Sequence, residues 1–157
     1  MQIFVTADHH FGHANIIKYA ARPFSSVEEM DQELIRRWNE VVGEEDVVYH
    51  LGDFTLSNKR RASYYLSQLR GQIKMLSYPW HHDCRWIGKV QGIEYLPPIV
   101  IVQDITLCHF PMAAWNKSHY GALHYHGHSH GKMTPMKNRI DVGVDCHNFY
   151  PINIILP

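Results

Sequence analysis

The stretch YHGHSHGK, residues 125–132, places imidazoles at His126, His128 and His130. Histidine is the commonest metal-ligating side chain, but a local cluster makes a metal site only with partners elsewhere in the chain. Those partners are present. Asp8 and His10 follow the apolar run QIFVTA, Asp53 closes LGD after DVVYHL, and His81-His82-Asp83 follows QIKMLSY. His109 ends ITLCH, while His128 and His130 follow ALHY. Side chains at the ends of separate strands are the usual way for loops on a rigid scaffold to assemble a site. Carboxylates mixed with imidazoles suit Mn, Fe, Zn or Ni rather than Ca or Mg alone. They are too many for a single tetrahedral ion, and one aspartate shared between two ions would use them all.

The elements that carry these residues follow from the pattern. QIFVTA predicts a short strand, and ANIIKYAA predicts a short helix stopped by Arg22-Pro23, since proline disfavours helix at the residue before it. SSVEEMDQELIRRWNEVVG predicts the clearest helix. Ser26 and Glu29 form a capping box, Gly43 offers the stop, and Val27, Met30, Leu34, Trp38 and Val41 recur at helical spacing as a core-facing stripe. DVVYHL predicts a buried strand. A second helix is expected over 58–70, capped by Ser57 and ended by Gly71, before the strand QIKMLSY. PPIVIVQDITLCHF predicts two strands joined at Gln103-Asp104, and ALHYHGH, RIDVGVD and INIIL are further short strands. The first half alternates strand and helix and the second half is mostly strand, which predicts layered α/β with helices outside packed sheets.

In this order the motifs resemble the calcineurin-like metallophosphoesterase superfamily, and in particular its small single-domain prokaryotic and phage members. The family pattern of D-x-H, G-D, G-N-H-D, a histidine and G-H-x-H is met by DHH (8–10), GD (52–53), WHHD (80–83), His109 and GHSH (127–130). The resemblance covers essentially the whole chain and implies one domain over 1–157, a four-layer αββα sandwich of two mixed sheets flanked by helices. It implies two divalent transition-metal ions (Mn, Fe, Zn or Ni): Asp8, His10 and His130 on one, His109 and His128 on the other, Asp53 bridging both. His82 would be the catalytic histidine near the leaving group, oriented by Asp83. The implied reaction is hydrolysis of a phosphomonoester or phosphodiester by attack of a metal-bridging hydroxide, because two such ions clamp a phosphoryl oxygen and acidify the water between them.

The chain departs from the pattern at Trp80-His81, where the family has Gly-Asn. His81 as a nitrogen ligand gives a nitrogen-rich second site, the favoured outcome. A weakened second site or a displaced loop are the alternatives. His13 is expected to cap or pack at the start of its helix, His50 to be a core histidine, and His9 and His126 to point away from the metals. His119, His124 and His147 carry no usable signal. Arg22, Arg85, Lys117, Lys132 and Arg139 are all candidates to reach a substrate phosphate.

Composition bounds the partners. The chain has 157 residues, 45% hydrophobic and 19% charged, with Lys+Arg and Asp+Glu equal at 15 each. That is globular, and it offers no basic excess for neutralising a long polyanion. A small phosphorylated substrate is therefore expected over long nucleic acid. No apolar run is long enough to span a bilayer, so no membrane partner is expected. Three cysteines without C-x-x-C give no disulfide framework, and the opening residues show no basic leader, so a reducing, cytoplasmic setting is expected. Oligomeric state is not written in these features. Two further functions stay open: a metal-dependent nuclease, and a metal-binding protein with catalysis weakened by His81.

Overall fold

The computed structural model describes residues 1–78 and 82–154. Strands β1 (Ile3–Thr6), β2 (Val47–His50), β3 (Gln72–Leu76), β4 (Glu94–Leu96) and β9 (Ile152–Asn153) form one sheet in the order β4-β3-β2-β1-β9. Strands β1 to β4 run parallel and β9 is antiparallel to β1. The second sheet has the order β5-β6-β7-β8, from Ile99–Val102, Ile105–Cys108, His124–His126 and Arg139–Asp141. Its β5–β6 hairpin turns at Gln103 and Asp104, both with positive φ (48° and 71°), as a two-residue turn matching strand twist requires.

The first sheet is buried on both faces, which is why its strands read as continuous apolar runs. Phe4, Val48, Ile73 and Met75 join Trp38, Met30 and Leu34 in the core beneath the helices. Val5, Ala7 and Leu76 meet Ile105, Leu107 and Tyr125 in the core between the sheets. The expected two-sheet sandwich with flanking helices is the fold. Its helical cover is uneven, however: α1 (Ala14–Tyr19), α2 (Val27–Val41) and α3 (Lys59–Leu66) feed the core under the first sheet. The outer face of the second sheet is instead closed over β7 by the segment 110–122. There the Met112 amide donates to His124 Nε2 (3.1 Å) and the Trp115 ring lies 5.3 Å from that imidazole.

Helix α2 begins with the first half of its capping box, Ser26 Oγ accepting from the Glu29 amide, while the Glu29 carboxylate accepts from the amide of Ser25 rather than of Ser26. Its stripe ends differently: Val41 is exposed and Val42 is buried, because the helix stops at Val41 and the extended backbone of Val42 turns that side chain inward. Helix α3 is capped by Asn58 rather than Ser57. The Asn58 side-chain Oδ1 accepts from the Arg61 amide, while the Ser57 amide donates to Thr55 Oγ1. It also ends at Leu66, short of Gly71. Gly71 serves the next turn, at φ +91°, where a Cβ would lie 2.8 Å from Val42 Cγ1.

Parallel pairing in both sheets sends the segments after β1, β2, β3, β6 and β7 to one edge. There the two sheets are joined by a bridge between Ala7 and Gly143 and by the Val144 amide donating to the Ala7 carbonyl.

Candidate metal centre

At that edge six side chains form two groups: Asp8, His10 and His130, and Asp53, His109 and His128, the ligand atoms within each lying inside 4.8 Å of one another. The groups meet at a single atom. Asp53 Oδ2 lies 3.4 Å from His10 Nε2 and 3.5 Å from His109 Nε2. Asp8 Oδ1 is 4.0 Å from His109 Nδ1, so the second carboxylate also borders both groups.

The backbone is bent unusually to achieve this. Asp8 (φ 62°), His10 (54°), Asp53 (56°), His128 (70°) and His130 (47°) all occupy the left-handed region, leaving His109 as the one member that does not. Such conformations cost roughly 1 kcal/mol or more each and persist where surrounding contacts over-determine them. Here the loops brace one another: the amides of Asp8, His10 and Phe11 donate to the carbonyls of Gly52, Asp53 and Phe54. Behind them the Gly52 amide donates to His50 Nδ1, so a neutral His50 carries its proton on Nε2 and donates to His9 Nδ1 at 2.9 Å. His9 thus points into the core, as expected, and His50 is more than filler because it links the two ligand-bearing loops.

Two glycines make room for the Asp8 carboxylate. A Cβ on Gly127 would lie 2.6 Å from Ala7 Cβ and 2.8 Å from Asp8 Oδ2, and one on Gly143 would lie 2.6 Å from the same oxygen. The His128 amide donates to Asp8 Oδ2.

The donor set fits divalent cations. Asp8 Oδ1 and His10 Nδ1 are buried without a hydrogen-bond partner. Burial, together with the nearby charges of Asp53, Asp141 and Asp145, holds the Asp8 carboxyl well above the usual carboxylate range. Burial and then the neighbouring His130 hold His10 well below the usual histidine range, so it is neutral and able to ligate. A buried carboxyl raised by its neighbours, beside a neutral imidazole, is what a site looks like when its compensating charge is a metal ion.

Asp145 was not legible as part of the site. Its Oδ2 accepts from His130 Nδ1 at 2.7 Å, which turns Nε2 toward the centre, and it holds Arg22 through two hydrogen bonds of 2.8 and 3.0 Å. Burial raises the Asp145 carboxyl, but the bonds from His130 and Arg22 outweigh it and leave the group below its ordinary value. Arg22 is buried and also donates to the Asp8 and His9 carbonyls, so it is removed from the candidates for substrate contact. Asp145 closes RIDVGVD, which eight residues separate from GHSH, and nothing in that run marks it as a partner of His130.

His82 is exposed on the 3₁₀ turn His82–Arg85, its ring 5.6 Å from that of His10. The Asp83 carboxylate accepts from the amides of Phe54 and Thr55, pinning the His82 turn to the loop that carries Asp53. His13 occupies the N-cap position of α1 but makes no side-chain cap; its ring lies 5.7 Å from His10, at the rim of the site. His126 Nδ1 bonds to the Gly127 carbonyl. His81 and Trp80, where the chain departs from the family pattern, lie outside the described residues. The three cysteines are free thiols, and no helix among the described residues is long and apolar enough to cross a membrane.

No protein-family model matches the chain. It is 36% identical to uncharacterized protein MJ1445 of Methanocaldococcus jannaschii, over 99% of this chain and 88% of that protein. The chain belongs to the family of that archaeal protein. It is also 24% identical to the gene 66 protein of Mycobacterium phage D29, over 96% of this chain and 92% of the phage protein. Among solved structures, a protein of unknown function from Aquifex aeolicus, AQ665, superposes with a TM-score of 0.69 at 20% identity, over 97% of this chain and 95% of its own. The Pseudomonas putida nuclease MPE superposes with a TM-score of 0.54 at 18% identity, over 82% of this chain and 61% of the nuclease. These two share the fold.

Proposed function

We propose that this chain is a metal-dependent phosphoesterase whose two divalent transition-metal ions would be held by Asp8, His10 and His130 and by Asp53, His109 and His128, with Asp53 shared. The observation that carries this reading is the position of Asp53 Oδ2, at 3.4 Å from His10 Nε2 and 3.5 Å from His109 Nε2. When bound, such ions supply Lewis acidity toward phosphoryl oxygens and bring the pKa of water near neutrality.

The protein's own side chains do the rest. Buried Asp8 and Asp53 set the charge of the centre, and Asp145 fixes the His130 ring. Exposed His82 is placed to hand a ring proton to the departing ester oxygen, and Asp83 acts through the backbone to hold that turn in place. Exposed His128, beside the Phe110 ring at 4.8 Å, marks the side from which a phosphoryl group enters.

A second reading, nuclease, is favoured by the fold shared with the Pseudomonas enzyme. It differs in substrate rather than in chemistry.

The test is hydrolysis of p-nitrophenyl phosphate and bis-p-nitrophenyl phosphate with Mn, Ni, Zn or Fe, alongside metal content. Asp53→Asn is expected to lose bound metal and hydrolysis together. His82→Ala keeps the metal and loses about 10²–10⁴-fold in turnover. A wild-type protein that binds metal and cleaves neither ester with any of these ions overturns the reading.

A further inference from the structure

The balanced formal charge of this chain hides a strong polarity. Residues 26–46 hold eight acidic side chains against Arg36 and Arg37, whereas residues 54–93 hold seven lysines and arginines against the single carboxylate of Asp83. Within the basic segment Arg70 pairs with Glu44 and Lys74 with Glu94. Lys59, Arg60, Arg61 and Arg85 are exposed and make no ion pair among the described residues.

Stability does not explain their position. Lys59, Arg60 and Arg61 fill the first turn of α3, which contains no acidic residue. The helix dipole favours anions there and disfavours cations. An anion arriving from outside removes the conflict.

Two of these cations, Arg85 and Arg61, sit on segments that border the ligand-bearing loops. Arg85 is on the His82 turn, which Asp83 and the Trp86 indole N–H tie to residues 54–55, just after Asp53. Arg61 Nη1 lies 3.6 Å from where a Cβ of Gly12 would be, next in sequence to His13. Asp31, whose carboxyl feels the Arg61 charge, spends its hydrogen bonds on the Gly12 amide and the Tyr65 hydroxyl rather than on that guanidinium. Arg61, Tyr64, Tyr65 and Gly12 line a cleft of about 300 Å³ between α2 and α3, with Glu28 and Asp31 on its α2 wall, and Tyr64 is 60% exposed at its edge. Cations that follow a backbone, with an aromatic face beside them, are the elements of a single-strand binding surface. The centre itself is recessed, with Asp8, His10, Asp53 and His109 all buried. A flexible single strand can bend its backbone toward such a recessed centre more readily than a stiff duplex can.

We propose that the first turn of α3, Arg85 and Tyr64 form a track for single-stranded nucleic acid leading to the metal centre. This rests on the phosphoesterase reading and assigns its substrate class as a polynucleotide strand.

The experiment uses fluorescence anisotropy of labelled, phosphorothioate-linked oligo(dT), oligo(U) and a DNA duplex of equal length, with the protein as isolated, over a range of salt. The phosphorothioate keeps the charge and resists cleavage. Wild type binds both single strands more tightly than the duplex. The triple variant Lys59→Gln/Arg60→Gln/Arg61→Gln loses about tenfold or more in affinity, and its log–log salt slope falls by about two, as expected for three lost phosphate contacts on a single strand. Tyr64→Ala loses about tenfold with the salt slope unchanged. Arg70→Gln, at the far end of the segment, binds like wild type. Hydrolysis of bis-p-nitrophenyl phosphate by Arg70→Gln matches that of wild type. No binding by wild type at low salt, an unchanged salt slope in the triple variant, or preference for the duplex overturns the proposal. Failure of the phosphoesterase reading is visible separately, as a wild type that binds these strands but cleaves no phosphoester with any metal.

Discussion

At the scale of single residues, Asp145 carries two duties, orienting His130 and neutralising the buried Arg22 guanidinium. Asp145→Ala strands a buried cation and releases a ligand ring together. Breaking a buried pair from one side costs about 3–5 kcal/mol, and losing a ligand's orienting partner costs about 10–100-fold in metal affinity. Urea unfolding of the metal-free protein and metal titration read the two effects apart; an unchanged value of either removes that duty. The folded Asp145 carboxyl sits below its unfolded value, so its contribution is present above that value and disappears as pH falls through the folded one. The convergence of Asp8, His10, Asp53, His109, His128 and His130 could be read from sequence because few side-chain types suit a metal and these stand at the ends of separate strands. Asp145, and the engagement of Arg22, could not. They depend on residues 15 positions apart (His130 and Asp145) and 123 apart (Arg22 and Asp145) becoming neighbours, and nothing local encodes that. Gly127 and Gly143 were invisible for the same reason: their lack of a side chain matters through the Asp8 carboxylate they face across the fold.

At the scale of elements, the loop between β7 and β8 passes so close to β1 that Gly127→Ala has to move it. With a Cβ 2.6 Å from Ala7 Cβ, we expect that variant to fold with a shifted GHSH loop and to bind metal at least about tenfold more weakly, since the displacement affects His128 and His130 together. Isothermal titration with Mn(II) measures this, and wild-type affinity would show that the loop has slack. The segment 110–122 gives a pH-dependent counterpart. Its Met112 amide donates to His124 Nε2 while His124 Nδ1 donates to the Thr106 carbonyl, which fixes a neutral imidazole. Burial holds its pKa below 6.5. A histidine depressed in the folded state contributes stability that is present above the unfolded pKa and is lost as pH falls below it. Between pH 6.5 and 5, His124→Gln should therefore show a flatter loss of stability than wild type, by up to about 1.4 kcal/mol per pH unit. Parallel urea titrations decide it, and equal slopes would mean that His124 titrates normally. Element type and order were largely legible, because periodicity and capping are local. The ends of α2 and α3 were not, because Val42 is buried by extended backbone beyond its helix and Ser57 is committed to Thr55.

At the scale of the whole molecule, the two sheets are a frame for one edge. Parallel strands deliver five loops to that edge, and the strained left-handed turns there cost stability that the two apolar cores must offset. Net composition was a poor guide at this scale: fifteen charges of each sign average to neutrality while the acidic and basic segments lie apart along the chain. The central claim is that Asp53 stands between two metal ions, and anomalous diffraction from crystals grown with Mn(II) tests it most directly. The account predicts two peaks about 3.5–4 Å apart on either side of Asp53, one within reach of Asp8, His10 and His130 and the other of His109 and His128. A single peak at full occupancy, or peaks away from Asp53, would contradict it.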